Sequence, residues 1–83
     1  MLLSTVALRI LYRLYTSNMI GAKHTHEESA RRGLPSHEQG NVKGALKNLI
    51  KEGLVIAKPT SYGTQISLNP KRIAEIRRLI SED

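Results

Sequence analysis

Nine residues between positions 36 and 51 concentrate the polar chemistry of this chain: Ser36, His37, Gly40, Asn41, Lys43, Gly44, Lys47, Asn48 and Lys51. Asparagine amides can pair with adenine edges, and lysine ammonium groups reach guanine acceptors or phosphate oxygens. If the segment is helical, these residues fall opposite an apolar stripe of Val42, Ala45, Leu46, Leu49 and Ile50, with Lys43 at the margin. A second set, Lys58, Thr60, Ser61 and Tyr62, joins a cation to hydroxyls that suit phosphate contact. Pro59 and Gly63 in the same stretch are equally explained by the geometry of a plain β-turn. Arg31 and Arg32 supply two further cations, which can hold phosphate or complement a helix dipole.

His24, His26 and His37, with Glu27 and Glu28 nearby, raise the question of a metal site. His-x-His can set two imidazoles on one side of an extended segment. No cysteine assists, however, and no fourth ligand follows from the spacing, so neither metal nor other cofactor is expected. A capping or core role for one histidine and a phosphate contact for another account for them. Nucleophile elbow, phosphate-cradling glycine loop and paired-carboxylate cleft are all missing from the sequence, and the chain is not expected to be an enzyme.

Thirteen Lys and Arg against seven Asp and Glu give a formal charge of +6 and a pI near 10.1, the electrostatic profile of a nucleic-acid binder. The 83 residues make room for a single domain over 1–83 with one modest core. Without cysteine, disulfides, thiolate chemistry and Cys-type zinc sites are excluded, which fits a reducing cytoplasmic setting. The apolar start Met1-Leu2-Leu3 is interrupted by Arg9 and Arg13 well short of a spanning length, so no membrane segment is expected.

The elements that must position these residues follow from periodicity and caps. A first helix is predicted over 4–16, with Ser4 as N-cap and Leu3, Val6, Ala7, Ile10, Leu11 and Leu14 as its stripe. Leu8, Tyr12 and Tyr15 add a second apolar strip, which points to a helix sandwiched between two others or to a dimer interface. Met19 and Ile20 are candidates for a short first strand. Thr25 with Glu28 forms a capping-box pattern opening a helix over 25–32, whose one clear core residue is Ala30. Gly33-Leu34-Pro35 turns the chain into a helix over 36–52, opened by a Ser36 and Gln39 capping box and stopped by Gly53. Leu54-Val55-Ile56-Ala57 and Thr64-Gln65-Ile66-Ser67-Leu68 read as paired strands joined by a turn over 58–63. Asn69 as N-cap and Pro70 at N1 start a helix over 70–81, with Ile73, Ile76 and Ile80 as its core stripe, Leu79 at the margin, and Lys71, Arg72, Glu75 and Arg78 outward.

Leu46-x-x-Leu49-Ile50-Lys51-Glu52-Gly53-Leu54-Val55 followed by a basic hairpin resembles the winged helix-turn-helix DNA-binding domains. The stretch from Lys58-Pro59-Thr60-Ser61-Tyr62-Gly63 through Ser67-Leu68-Asn69-Pro70 is similar to small archaeal members. The resemblance implies a fold that is mainly α with a small β-hairpin: a three-helix core, a two-stranded wing over 54–68 and a C-terminal helix. It implies that the 36–52 helix reads the major groove of double-stranded DNA while the wing and Arg31/Arg32 hold phosphates. A transcriptional regulator or chromatin-associated factor would follow, cytoplasmic and nucleoid-associated, and a homodimer built on Leu8, Tyr12, Tyr15, Ile76 and Leu79. The alternative is a protein-interaction module of the same fold meeting an acidic partner, since folds of this kind also dock proteins. RNA is a third option, weakened because the three aromatics are all Tyr and two lie on the first helix. Gly40 and Gly44 each weaken a helix, which close approach to DNA, close helix packing or the tolerance of a solvated face would explain.

Overall fold

The structure is a computed structural model, in which residues 3–32 and 34–81 are described. Gly33 of the expected turn and Met1-Leu2 of the apolar start lie outside the described residues. The architecture is mixed α/β, with three α-helices and a three-stranded antiparallel sheet. The helices are α1 (Thr5–Thr16), α2 (Val42–Lys51) and α3 (Ile73–Ser81); the strands are β1 (Thr25–His26), β2 (Val55–Thr60) and β3 (Gly63–Leu68), in the order β1-β3-β2.

Helix α1 starts as its sequence predicts. The Ser4 hydroxyl accepts from the Ala7 amide at 3.1 Å, and Val6, Ala7, Ile10, Leu11 and Leu14 are buried. Its end is set by Asn18, whose φ of 60° lets the Asn18 amide reach the Tyr15 carbonyl and the Met19 amide reach the Leu14 carbonyl. That pair of bonds is a Schellman motif, with asparagine in the left-handed position more often held by glycine. Helix α2 closes the same way. Gly53 takes φ 79°, its amide donates to the Ile50 carbonyl, and the Leu54 amide donates to the Leu49 carbonyl. Leu49 and Leu54 are both fully buried, supplying the apolar contact that accompanies this motif.

Several expected boundaries move. The helix expected over 25–32 is replaced by β1 and a 3-10 segment, Glu27–Arg31. Thr25 pairs with Ile66 and His26 with Gln65, so Thr25 is committed to the sheet and the Thr25–Glu28 capping box does not form. His26 takes over as N-cap, its Nδ1 accepting from the Glu28 amide at 3.1 Å. The helix expected over 36–52 becomes a 3-10 segment, Ser36–Asn41, followed by α2. Gly40 and Asn41 are poor helix interiors, and no side chain caps the segment at Pro35. Gln39 does reach back, but its Nε2 donates to the Leu34 carbonyl at 3.3 Å.

Met19 and Ile20 form no strand of their own. They make one parallel bridge to Leu68, with the Leu68 amide donating to the Met19 carbonyl at 2.8 Å. The two-stranded wing becomes part of a three-stranded sheet, and β2 runs on through Lys58-Pro59-Thr60, leaving only Ser61 and Tyr62 in the turn. Pro59 is tolerated because β2 is an edge strand. The last helix opens with a 3-10 turn, Pro70–Arg72, before α3, and Asn69 caps it by accepting from the Lys71 amide at 3.0 Å. Leu11, Leu49, Leu54, Ile66, Leu68 and Ile76 are all fully buried, so α1, α2, β3 and α3 share one core.

Candidate nucleic-acid interface

Helix α2 buries Val42, Leu46 and Leu49, and that stripe determines what the helix shows to solvent. Lys43, Gly44, Lys47, Asn48 and Lys51 are all exposed, as are Ser36, His37, Gly40 and Asn41 on the 3-10 segment before them. All nine residues that the sequence singles out are thus exposed, and the five on α2 lie on the side of the helix away from its buried stripe. Lys43, Lys47 and Lys51 stand four residues apart, on a single ridge of the helix. Among the described residues no lysine makes an ion pair or a side-chain hydrogen bond; the intramolecular ion pairs use arginine and histidine instead. A Cβ built on Gly40 or on Gly44 meets no heavy atom within 4 Å. Packing of another helix of this chain against those glycines is thereby set aside, and the α2 backbone is open to a large partner.

Ile50, expected within the core stripe, is 36% exposed. It sits with Val42 and Leu46 in a shallow groove beside Arg31, Lys43 and Lys47, whose other rim carries Glu27 and Glu28. Arg31 has its Nε 3.9 Å from Glu28 Oε2, in an exposed pair that solvent weakens. Arg32 points elsewhere, into the groove beside α1. The two arginines, taken together in the sequence, therefore serve different surfaces, and only Arg31 lies beside the lysine ridge.

At the hairpin tip Tyr62 is 88% exposed and Ser61 is open. Neither has positive φ, so the turn is not one of the primed types; Gly63, at φ 114°, takes the left-handed position instead. Thr60 is exposed but is not a free phosphate donor. Its hydroxyl donates to the Gly63 carbonyl at 2.7 Å and accepts from the Tyr62 amide at 3.2 Å, which makes it a builder of the turn. Lys58 is exposed on the outer face of the sheet, near Ile56 and His24.

The three histidines are held apart by different partners. His24 Nδ1 lies 3.3 Å from Gln65 Oε1, His26 caps Glu28, and His37 Nε2 lies 3.6 Å from Glu38 Oε2. Among the described residues no group of three His, Cys, Asp or Glu could hold a metal ion. The His26 ring also covers Gly63, so that a Cβ there would run into it. Nothing local in the sequence signals this contact between β1 and the hairpin tip. Glu38 is a second residue that the sequence leaves unmarked. Its carboxylate receives Arg9 at 3.0 Å and ties the start of the polar face to α1. Arg13 makes a similar tie, donating from Nε to the Ser29 carbonyl at 3.1 Å.

Of the residues expected at a dimer interface, Ile76 is fully buried and cannot meet a second chain. The helical phase that makes Ile76 a core residue of α3 turns it away from the surface. Tyr15 is half-buried, and its hydroxyl accepts from Arg77 Nε at 2.8 Å while the guanidinium lies over the ring at 5.9 Å. Leu8, Tyr12 and Leu79 remain accessible along one groove. No helix of the described residues is long and apolar enough to cross a membrane. In comparisons with known proteins, no family, curated protein or solved structure matches the chain.

Proposed function

We propose that the chain is a winged helix-turn-helix domain that binds double-stranded DNA, as a transcriptional regulator or chromatin-associated factor. Helix α2 and the segment before it would lie in the major groove, and the hairpin tip would reach the flanking backbone. The order of elements supports this reading: a helix closed by a glycine Schellman turn feeds directly into a hairpin whose tip is exposed. One observation carries it. The ridge of Lys43, Lys47 and Lys51 has no partner within the chain among the described residues, and it stands beside glycines with open space above them. Unpaired ammonium groups are fully available to release counterions from a phosphate lattice. Asn41 and Asn48, both exposed on this face, are the side chains suited to base edges.

The test is fluorescence anisotropy with a random-sequence duplex and the matching single strand over a series of salt concentrations. Duplex should bind more tightly than single strand, and affinity should fall steeply with salt. The Lys47→Ala, Lys51→Ala double variant should lower the salt slope by about 2, close to one for each phosphate contact removed. An unchanged slope in a folded double variant refutes the assignment of this face.

A further inference from the structure

We propose that the groove between α1 and α3, on a different surface from the lysine ridge, docks an acidic amphipathic helix of another protein. Leu8 and Tyr12 of α1 line the groove together with Leu79 and Ile80 of α3 and the buried Ala30 and Leu34. Tyr12 is 58% exposed, far more than a residue of a sandwiched helix should be, and the groove holds about 390 Å³. The second apolar strip of α1 thus lacks the helix that would cover it. The exposed face runs from Thr5 to Arg13, about 12 Å along the helix axis, which matches the reach of apolar anchors two turns apart on a partner helix. Among the described residues no sheet edge lines this groove, so strand addition is not available there, whereas two helix flanks accept a third helix side by side.

The rim decides the sign of the partner. Arg9, Arg13 and Arg32 line the groove beside these apolar residues, and among the described residues no carboxylate lines it. Arg9 engages Glu38 through one terminal nitrogen and Arg13 engages Ser29 through Nε, which leaves the other guanidinium donors of each for a ligand. Arg32 has no partner among the described residues and is exposed. A second copy of this chain fits the site poorly. An isologous two-fold contact would bring two copies of this cationic lining into one interface, with no lining carboxylate among the described residues to offset them. Carboxylates flanking apolar anchors meet both features of the groove at once.

The proposal does not rest on the DNA reading, and the two fail separately. The probe is a displayed library of helical peptides about sixteen residues long, with apolar residues at i, i+3, i+4 and i+7 and the other positions drawn from Asp, Glu, Lys, Gln and Ala. Enrichment of acidic sequences against the full chain is expected. The best of them, fluorescein-labelled, should bind about tenfold more weakly to Tyr12→Glu and about fivefold more weakly to Arg32→Glu, while Lys47→Ala, Lys51→Ala leaves peptide affinity unchanged. A peptide with one acid changed to lysine should recover on Arg32→Glu. Both groove variants change exposed side chains, and unchanged circular dichroism shows that they remain folded. No enrichment, or enrichment of basic helices, overturns the proposal. So does peptide binding that the lysine variants abolish, since that would be adsorption to the α2 face. Sedimentation that shows a dimer dispersed by Tyr12→Glu would assign the groove to a second copy and overturn it as well.

Discussion

Replacing Gly63 with alanine tests how the hairpin tip is held. Gly63 has φ 114°, a region that L-residues enter at a cost of about 1–3 kcal/mol. Its missing side chain also leaves room for the His26 ring, whose Cδ2 and Cε1 would lie 3.1 and 3.4 Å from an added Cβ, with Nε2 closer still. The ring cannot retreat freely, because Nδ1 accepts the Glu28 amide at 3.1 Å and starts the 3-10 segment behind it. Displacing it forfeits that cap, worth about 1 kcal/mol. Gly63→Ala should therefore destabilise the fold by about 2–4 kcal/mol, which for a domain of this size lowers Tm by roughly 10–25 °C. The double-mutant cycle with His26→Ala separates the two causes. Once the ring is gone, Gly63→Ala should retain only its backbone cost, giving a coupling of about 1 kcal/mol in urea melts. A Gly63→Ala protein within about 0.5 kcal/mol of the parent, or a coupling near zero, would refute the argument.

Substitutions at three further positions test the local joints. Gly44→Ala adds a methyl into open space at a helical position, so it should stabilise α2 by up to about 1 kcal/mol in thermal melts. If DNA approaches the backbone there, the same variant should bind duplex more weakly in anisotropy despite its higher Tm. Ser4→Ala removes the acceptor of the Ala7 amide and should lower stability by about 1 kcal/mol in denaturant unfolding. Asn69→Ala loses both the cap to the Lys71 amide and the Nδ2 bond to the Gly53 carbonyl, and should cost roughly 2 kcal/mol in the same assay. Asn69→Asp keeps the cap and loses only the second bond, so an Asp variant as unstable as the Ala variant would place most of the energy at Gly53.

What could be read from the chain alone is what local sequence controls. The buried stripe of α1, Val42, Leu46 and Leu49 of the α2 stripe, the Ser4 and Asn69 caps and the Gly53 stop each depend on residues a few positions apart, and are found where periodicity and capping rules put them, whereas Ile50 of the expected α2 stripe is exposed. The exposure of Lys43, Gly44, Lys47, Asn48 and Lys51 follows from the α2 stripe, because burial of one helix face dictates the other. Thr25 and Glu28 show where this fails. Their spacing is that of a capping box, yet Thr25 is claimed by Ile66, forty-one positions away, and a ladder contact outweighs a local cap. The contacts of Arg9 with Glu38 and of His26 with Gly63 are likewise between segments distant in sequence, and no short motif records them. Asn18 differs again, since asparagine after a helix is a recognised left-handed terminator, so its role does have a local signal in the sequence.

The division of labour between arginine and lysine ties the fold to both proposed surfaces. Arg9, Arg13, Arg72 and Arg77 each bridge to another element or residue: Glu38, the Ser29 carbonyl, Glu75 together with the Glu52 carbonyl, and Tyr15. A planar guanidinium with several donors suits such fixed ties, and it can hold one intramolecular partner while presenting other donors outward. Lysine offers a mobile point charge with no preferred plane, which suits a lattice of phosphates contacted through water and small shifts of register. Three unpartnered lysines, Lys43, Lys47 and Lys51, stand along α2, whereas Arg9, Arg13 and Arg32 line the apolar groove. Two cationic surfaces of different chemistry result. Added salt should weaken a polyanion on the lysine face far more than an acidic helix in the groove, where the apolar anchors Leu8, Tyr12, Leu79 and Ile80 supply affinity that salt does not screen.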